Sequence, residues 1–225
     1  MAITLDTIVP WGRSYAEYVA MFNLTEADLA GRILGCADGP AAFNAVMTQQ
    51  GNSVISVDPL YAFTAKEIRS RIAATYDVIL NQVRQNPTDY VWTAIASVEE
   101  LGPVRMQAME TFLTDYETGK TEGRYRADSL PDLPFQPQQF DLALVSHFLF
   151  LYSKHLSLEF HVRSLQTLLN VAQEVRIFPL LTLASTPSPY IVAIQEHFTQ
   201  VGYTVAIEPV QYEFQRGGNQ MMIIC

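Results

Sequence analysis

Cysteine is scarce in this sequence: Cys36 and Cys225 are the two in 225 residues. That is too few for a disulfide framework or a zinc cluster. No iron–sulfur spacing exists either, which excludes radical chemistry built on such a cluster. Basic residues are also few, with 14 Lys and Arg against 23 Asp and Glu, a net charge of −9. That balance argues against a nucleic-acid partner, because each phosphate contact asks for a Lys or Arg. Long apolar runs are missing too. The longest, such as LALVSHFLFLY, fall short of the ~20 residues of a membrane span. The N-terminal stretch MAITLDTIVPWGR has an early acid and no long apolar core, so it does not read as a signal peptide. What is plentiful is hydrophobic side chain, 49% of residues, enough to exclude a disordered chain. The length suits a single domain over residues 1–225 that needs no disulfide or metal to hold it. Together these features point to a soluble cytoplasmic protein.

The order of elements is alternating. Residues 11–30 read as short helices, with Thr25 as an N-cap and Glu26 and Asp28 in the first turn. RILGCADGP follows, a strand over Arg32–Cys36 and a tight turn over residues 37–40. AAFNAVMTQQ is helical and stops at Gly51, and SVISVDP is a second, β-branched strand. Strand, glycine turn, helix, strand is a βαβ unit with parallel strands.

Residues 64–118 differ, with Ala, Glu, Arg, Leu and Met at helical spacing. Breaks at Asn86-Pro87 and Gly102-Pro103 predict two or three helices. A simple crossover needs one, so the insertion is a candidate lid or homo-oligomer surface. A charged turn over residues 119–124 leads into a third strand at RYRADS. The proline-rich loop LPDLPFQPQQ and the buried strand FDLALVSHF follow. SLEFHVRSLQTLLNVAQ is an amphipathic helix, EVRIFPLL a strand, and PSPYIVAIQEHFTQVG a helix closed by Gly202. YTVAIEPV and NQMMIIC form a terminal antiparallel hairpin through a Gly217-Gly218 turn. The fold class is therefore α/β: a doubly wound, mostly parallel sheet with a terminal antiparallel strand. Ligands of such sheets sit at the carboxyl ends of the parallel strands.

The glycine turn is the first chemical feature. In ILGCADGPAAF, Gly35, Gly39, Ala37, Ala41 and Ala42 let backbone approach a ligand closely. Asp58 lies nineteen residues beyond Gly39, at the tip of the second strand, where its carboxylate can accept from ribose hydroxyls. This combination suits a nucleoside-containing cofactor; the plain alternative is a tight turn and a capping Asp. A nicotinamide dinucleotide wants G-x-G-x-x-G. Here the frame is Gly-Cys-Ala-Asp-Gly-Pro, and Asp38 would oppose a pyrophosphate, whereas a cationic sulfonium would not be opposed.

On these residues the chain resembles the class I S-adenosylmethionine-dependent methyltransferases over most of residues 30–225. ILGCADGPA sits in the frame of that family's first motif, and Asp58 at its ribose acid. ADSLPDLPFQPQQFDLALVSHFLF is similar to the stretch in which an Asp contacts adenine ahead of an L-P-F loop and an F-D-x-x strand. The resemblance implies a Rossmann-like seven-stranded sheet whose final antiparallel strand lies between strands five and six. It also implies S-adenosylmethionine as cofactor, held by Gly35, Cys36, Ala37, Asp38, Gly39, Asp58, Pro59, Asp128, Ser129 and Ser146. The chain departs from the pattern at Gly35, where the family usually has an acid, and at Ala37 and Ala41, where it has glycines. Beside methyl transfer stand two alternatives: a relative that binds the cofactor without turnover, on the Gly35 departure, and a nicotinamide oxidoreductase, on the glycine turn and Asp58.

No N-P-P-Y-like run follows the fourth strand, and no Pro-Cys pair exists. With the acidic charge, this leaves a small molecule or a protein side chain as methyl acceptor, the small molecule first, and neither nucleic acid nor membrane as partner. His147 is the candidate acid–base residue, at the end of a central strand with a pKa expected near neutrality; its plain reading is a pocket-lining histidine. His155, Glu159 and His161 lack a third ligand and read as a polar helix start, so no metal is expected. Arg216 is placed to meet an anionic acceptor if the sixth strand is parallel to the others. Trp11, Arg13, Tyr61 and Phe63 are placed to cover the cofactor, with ordinary packing as the favoured reading.

Overall fold

The computed structural model describes residues 10–225; residues 1–9, on which the signal-peptide reading mostly falls, lie outside them. Caps start the first helices. Ser14 and Glu17 form a capping box for α1 (Tyr15–Met21), and Thr25 and Asp28 one for α2 (Glu26–Ala30). β1 (Arg32–Cys36), α3 (Phe43–Gln49) and β2 (Ser53–Val57) follow, and the two strands are parallel with Cys36 opposite Val57.

The insertion is a helical pair, α4 (Ala65–Gln85) and α5 (Val98–Thr121). The expected break at Asn86-Pro87 is present. The one at Gly102-Pro103 is not, because α5 runs through it. Pro103 is exposed and sits one turn beyond the exposed Glu99, so the unmatched carbonyl lies on the wet side of the helix. Gly102 is there for packing: a Cβ would fall 2.2 Å from the Tyr76 hydroxyl of α4. Helix α5 also absorbs residues 119–121 of the expected charged turn, with Gly119 seated against the Tyr125 ring.

β3 is short (Tyr125–Arg126), because the chain leaves the sheet toward Asp128 and the prolines beyond. Then come β4 (Phe140–Ser146), α6 (Leu158–Val171), β5 (Ala172–Phe178), α7 (Ile191–Gln200), β6 (Val205–Pro209) and β7 (Gln220–Ile224). The sheet order is β3-β2-β1-β4-β5-β7-β6. β7 is antiparallel to both β5 and β6, so β6 runs with the other five. The last strand is thus inserted between the fifth and sixth, as the resemblance implies.

Strand alternation sends side chains to two cores. Ile33, Leu142 and Leu144 pack with α1, α3 and the ends of α4 and α5 that face each other. Leu34, Cys36, Ala143, Val145 and Val175 pack under α6 and α7. A third cluster of Tyr61, Ile68, Ile72, Phe112, Tyr116 and Tyr125 joins the insertion to β3. No helix among the described residues is long and apolar enough to cross a membrane.

One charged residue lies in the apolar stripe of α5. Arg105 has no exposed surface, and its Nη1 donates to both oxygens of Glu17 on α1, the longer bond at 2.6 Å. The Tyr212 hydroxyl donates to the same carboxylate at 2.9 Å. Burial pushes the Glu17 pKa up, but the charges of Arg105 and Arg13 win and hold it at about 2, against an ordinary 4.5. Removing the carboxylate strands a buried guanidinium. Glu17→Gln is therefore expected to cost about 3–5 kcal/mol in urea unfolding at pH 7. The Glu17 pKa is depressed on folding, so its contribution is present above pH 4.5 and lost as pH falls toward about 2. The gap between wild type and variant is expected to close over that window.

Candidate functional site

The carboxyl ends of β1, β2 and β4 open into a cavity of about 660 Å³, closed on the far side by α4. Three of the five non-glycine residues with positive φ among the described residues line it: Ala37 (57°), His147 (52°) and Ser185 (57°). Such backbone is costly for L side chains, and here it gathers at strand ends and loops that face one space.

The turn after β1 is held by carboxylates. Asp58, at the tip of β2, accepts the Gly39 N–H at 2.9 Å and the Leu60 N–H at 2.7 Å. The Tyr61 hydroxyl donates to the Gly39 carbonyl at 2.7 Å. Asp38 turns back beneath the strand, accepting from Tyr18 at 2.9 Å and from Ser56 at 2.6 Å. Its Oδ2 lies 1.9 Å from where a Cβ on Gly35 would be. The space of a side chain at position 35 is thus filled by the carboxylate of Asp38, and only glycine at 35 admits it. Burial pushes Asp38 up to about 6, with the charge of Asp58 adding to the rise and the two hydrogen bonds opposing it. Burial likewise raises Asp58, against its two backbone N–H groups.

Of the residues singled out from the sequence, Ala37, Asp38, Gly39, Asp58, Pro59, Ser129, Ser146 and His147 line the cavity. Gly35 does not line it and acts instead by making room. Cys36 is fully buried, its side chain pointing to the core under α6 as strand alternation requires. Asp128 does not line it either: its Oδ2 takes the Arg126 Nε at 2.7 Å, and the next residue reaches the wall.

His147 departs from its expected titration. Burial lowers its pKa well below 6.5, and the charges of Arg13 and Arg105 lower it further, so the ring is neutral near pH 7. Its Nδ1 lies 2.9 Å from Ser146 Oγ. His161 is turned inward on α6, its two ring nitrogens 2.8 and 2.9 Å from the Ser157 and Leu149 carbonyls. Among the described residues no group of three His, Cys, Asp or Glu is placed to hold a metal. The loop between β6 and β7 lies on the ligand edge, and Phe214 and Gln215 reach the cavity. Arg216 does not: it donates to the Thr88 and Tyr90 carbonyls and fastens that loop to the insertion. Trp11, Arg13 and Phe63 line the cavity, whereas Tyr61 packs behind it.

Sequence reasoning missed Tyr18, Ser56 and the Glu17–Arg105–Tyr212 group. A signal existed for Arg105, which shares helical spacing with Leu101, Ala108, Met109 and Phe112; a cation in such a stripe requires a partner.

No family model matches the chain. Among solved structures, it is similar to a magnesium protoporphyrin IX methyltransferase from Synechocystis PCC 6803 with bound S-adenosylmethionine. The identity is 11% over 88% of this chain and 72% of that one, with a TM-score of 0.45. It is similar at 13% identity to an S-adenosylmethionine-dependent methyltransferase from Aquifex aeolicus, over 92% and 90% of the two chains, with a TM-score of 0.42. It is 33% identical over 223 residues to the uncharacterized protein MJ0045 of Methanocaldococcus jannaschii, covering 99% of this chain and 98% of the relative. With one third of its residues shared along nearly the full length of both, this chain belongs to the family of that archaeal protein.

Proposed function

We propose that this protein transfers a methyl group from S-adenosylmethionine to a small-molecule acceptor. The observation that carries this reading is the pair of carboxylates, Asp38 buried and Asp58 half-buried, against the glycine turn at the ends of β1 and β2. Two carboxylates forced together in a poorly solvated place favour a cationic ligand. They oppose the pyrophosphate of a nicotinamide dinucleotide at the same turn.

When bound, S-adenosylmethionine supplies a methyl group already activated on a sulfonium, so the protein has to position reactants and exclude water. Asp58 keeps lone pairs beyond those given to Gly39 and Leu60, and these would accept from ribose hydroxyls. Asp38 would face the cationic part, with Ala37, Gly39 and Pro59 allowing close approach and Ser129 flanking the nucleoside side. Ser146 and His147 stand at the end of β4 and line the same cavity, as α4 does through Arg71, Ala74, Thr75, Ile79 and Val83. A neutral His147 with so low a pKa is a weak base, so its part is to accept a hydrogen bond and orient the acceptor rather than to carry off a proton.

Calorimetric titration of the full chain is expected to show binding of S-adenosylmethionine and S-adenosylhomocysteine but not of NADH. Binding of NADH alone would overturn the reading, and binding without methyl transfer to any acceptor screened would favour a non-catalytic relative. Asp58→Ala is expected to weaken both adenosyl ligands by about 1.5–3 kcal/mol, roughly ten- to a hundredfold.

The Asp38 pKa sets a pH dependence. Below about 6 the free protein holds Asp38 protonated and its attraction for a cation is lost; above it the charge is present. S-adenosylmethionine affinity is therefore expected to rise about tenfold from pH 5 to pH 7, and to lose that rise in Asp38→Asn. Gly35→Ala is expected to copy Asp38→Asn in this titration, because its Cβ displaces the carboxylate. A pH rise unchanged in either variant would remove Asp38 from cofactor binding.

A further inference from the structure

Among the described residues, five charged side chains line the cavity: Arg13, Asp38, Asp58, Arg71 and Asp89. Asp38 and Asp58 gather at the glycine turn, and the groups that shift Asp38 besides burial are Ser56, Tyr18 and Asp58, none of them a cation. Arg13 lines the same cavity. Its carbonyl accepts the Ala42 N–H at 2.9 Å, and Gly12 beside it rests on Pro40 where a Cβ would fall 2.1 Å from the carbonyl oxygen. This backbone seat sends the Arg13 side chain into the cavity wall, where its charge acts on His147 and Tyr90.

The guanidinium is under-used. Nη1 donates to the Trp11 carbonyl at 2.6 Å. Nε is buried without a partner, and among the described residues Arg13 has no carboxylate within ion-pair distance. Glu17, the carboxylate whose charge it feels, is already engaged through both oxygens by Arg105 and by Tyr212. Two guanidiniums therefore share one carboxylate, and one positive charge is left over. Burial and the like charge of Arg105 pull the Arg13 pKa down, the mark of a cation awaiting an anion. The free Nε–Nη2 edge is the two-donor fork that matches a carboxylate. The lining of the same cavity includes the apolar and aromatic side chains of Trp11, Tyr90, Phe148, Leu183 and Phe214.

We propose that the His147 side of the cavity binds an acceptor with an aromatic or apolar body and a carboxylate, and that Arg13 anchors the carboxylate. The inference rests on reading the cavity as a methyl-transfer site. The cofactor carries a carboxylate of its own, and the test separates the two sources.

The probes are 4-fluorophenylacetate and its neutral isostere 4-fluorophenylacetamide, titrated into the full chain with and without S-adenosylhomocysteine and followed by fluorine NMR. The acid is expected to bind wild type roughly tenfold more tightly than the amide. That preference is expected to vanish in Arg13→Gln and to survive in part in Arg13→Lys, which keeps the charge but loses the fork. S-adenosylhomocysteine affinity, measured by calorimetry, is expected to stay the same in both variants. Equal binding of acid and amide to wild type, or no binding of the acid, overturns the proposal without any variant. So does a preference that persists in Arg13→Gln. If Arg13→Gln weakens S-adenosylhomocysteine and leaves the acid preference intact, Arg13 serves the cofactor and the proposal fails. If S-adenosylhomocysteine does not bind at all, the cofactor reading fails instead, and the acid–amide comparison on the free protein still decides whether the anion site exists.

Discussion

The carboxylate of Asp38 occupies the space that a side chain at position 35 would take, and much of the site depends on that substitution. It ties three segments at one point: Tyr18 from α1, Ser56 from β2, and the turn that leaves β1. Without the acid, the Tyr18 hydroxyl and Ser56 would lose a charged acceptor in a buried place, where an unpaired polar group costs about 1–3 kcal/mol. The Gly35 departure therefore rearranges the first motif without emptying it. An acid remains beside the turn, contributed from three residues downstream and entering the same volume from the other side.

Much of the sheet was legible because its strands carry local signals. β1, β2 and β4 are short apolar or β-branched runs bounded by Gly, Pro or Asp, and the terminal hairpin has its own glycine turn. The placement of β7 between β5 and β6 came from the resemblance; no periodicity would have ordered the strands. Local signals also misled. Gly102-Pro103 is a breaker by composition, but an exposed proline near the start of α5 and a glycine needed for packing against Tyr76 are both compatible with helix. RYRADS reads as a strand, yet only two residues pair, since pairing depends on where the chain must turn away.

The lining of the cavity was legible at the strand tips and illegible where it depends on distant partners. Ala37, Asp38, Gly39 and Asp58 were read from the ends of the first two strands and Ser146 from the resemblance, and all five line the cavity. Cys36 was counted with them because it is in the turn motif, but strand alternation points it away from the cavity. The group of Glu17, Arg105 and Tyr212 joins residues as much as 195 apart, and no window of sequence contains it. The same distance hid the use of Arg216, which links the β6–β7 loop to the insertion. Through that link and through Arg105, the insertion is fixed to both the N-terminal helix and the last hairpin. It forms a wall of the cavity in the same covalent and packed unit that carries the glycine turn.

The charge of the whole chain and the charge of the site point in opposite directions. A net charge of −9 repels anions at long range, but salt screens that field beyond about 8–10 Å at physiological ionic strength. Inside the cavity the local inventory governs, because charges at short range in a partly desolvated place act strongly on each other. There the lining holds Asp38 and Asp58 at the glycine turn and the Arg13 guanidinium without an ion-pair partner, with Arg71 and Asp89 besides. A cavity built this way is matched by a cation and an anion bound side by side, and each would relieve the desolvation the other leaves untouched. Binding energy of that kind favours a defined orientation over mere retention. A ligand pair placed the wrong way round would set its anion against Asp38 and Asp58 and its cation against Arg13.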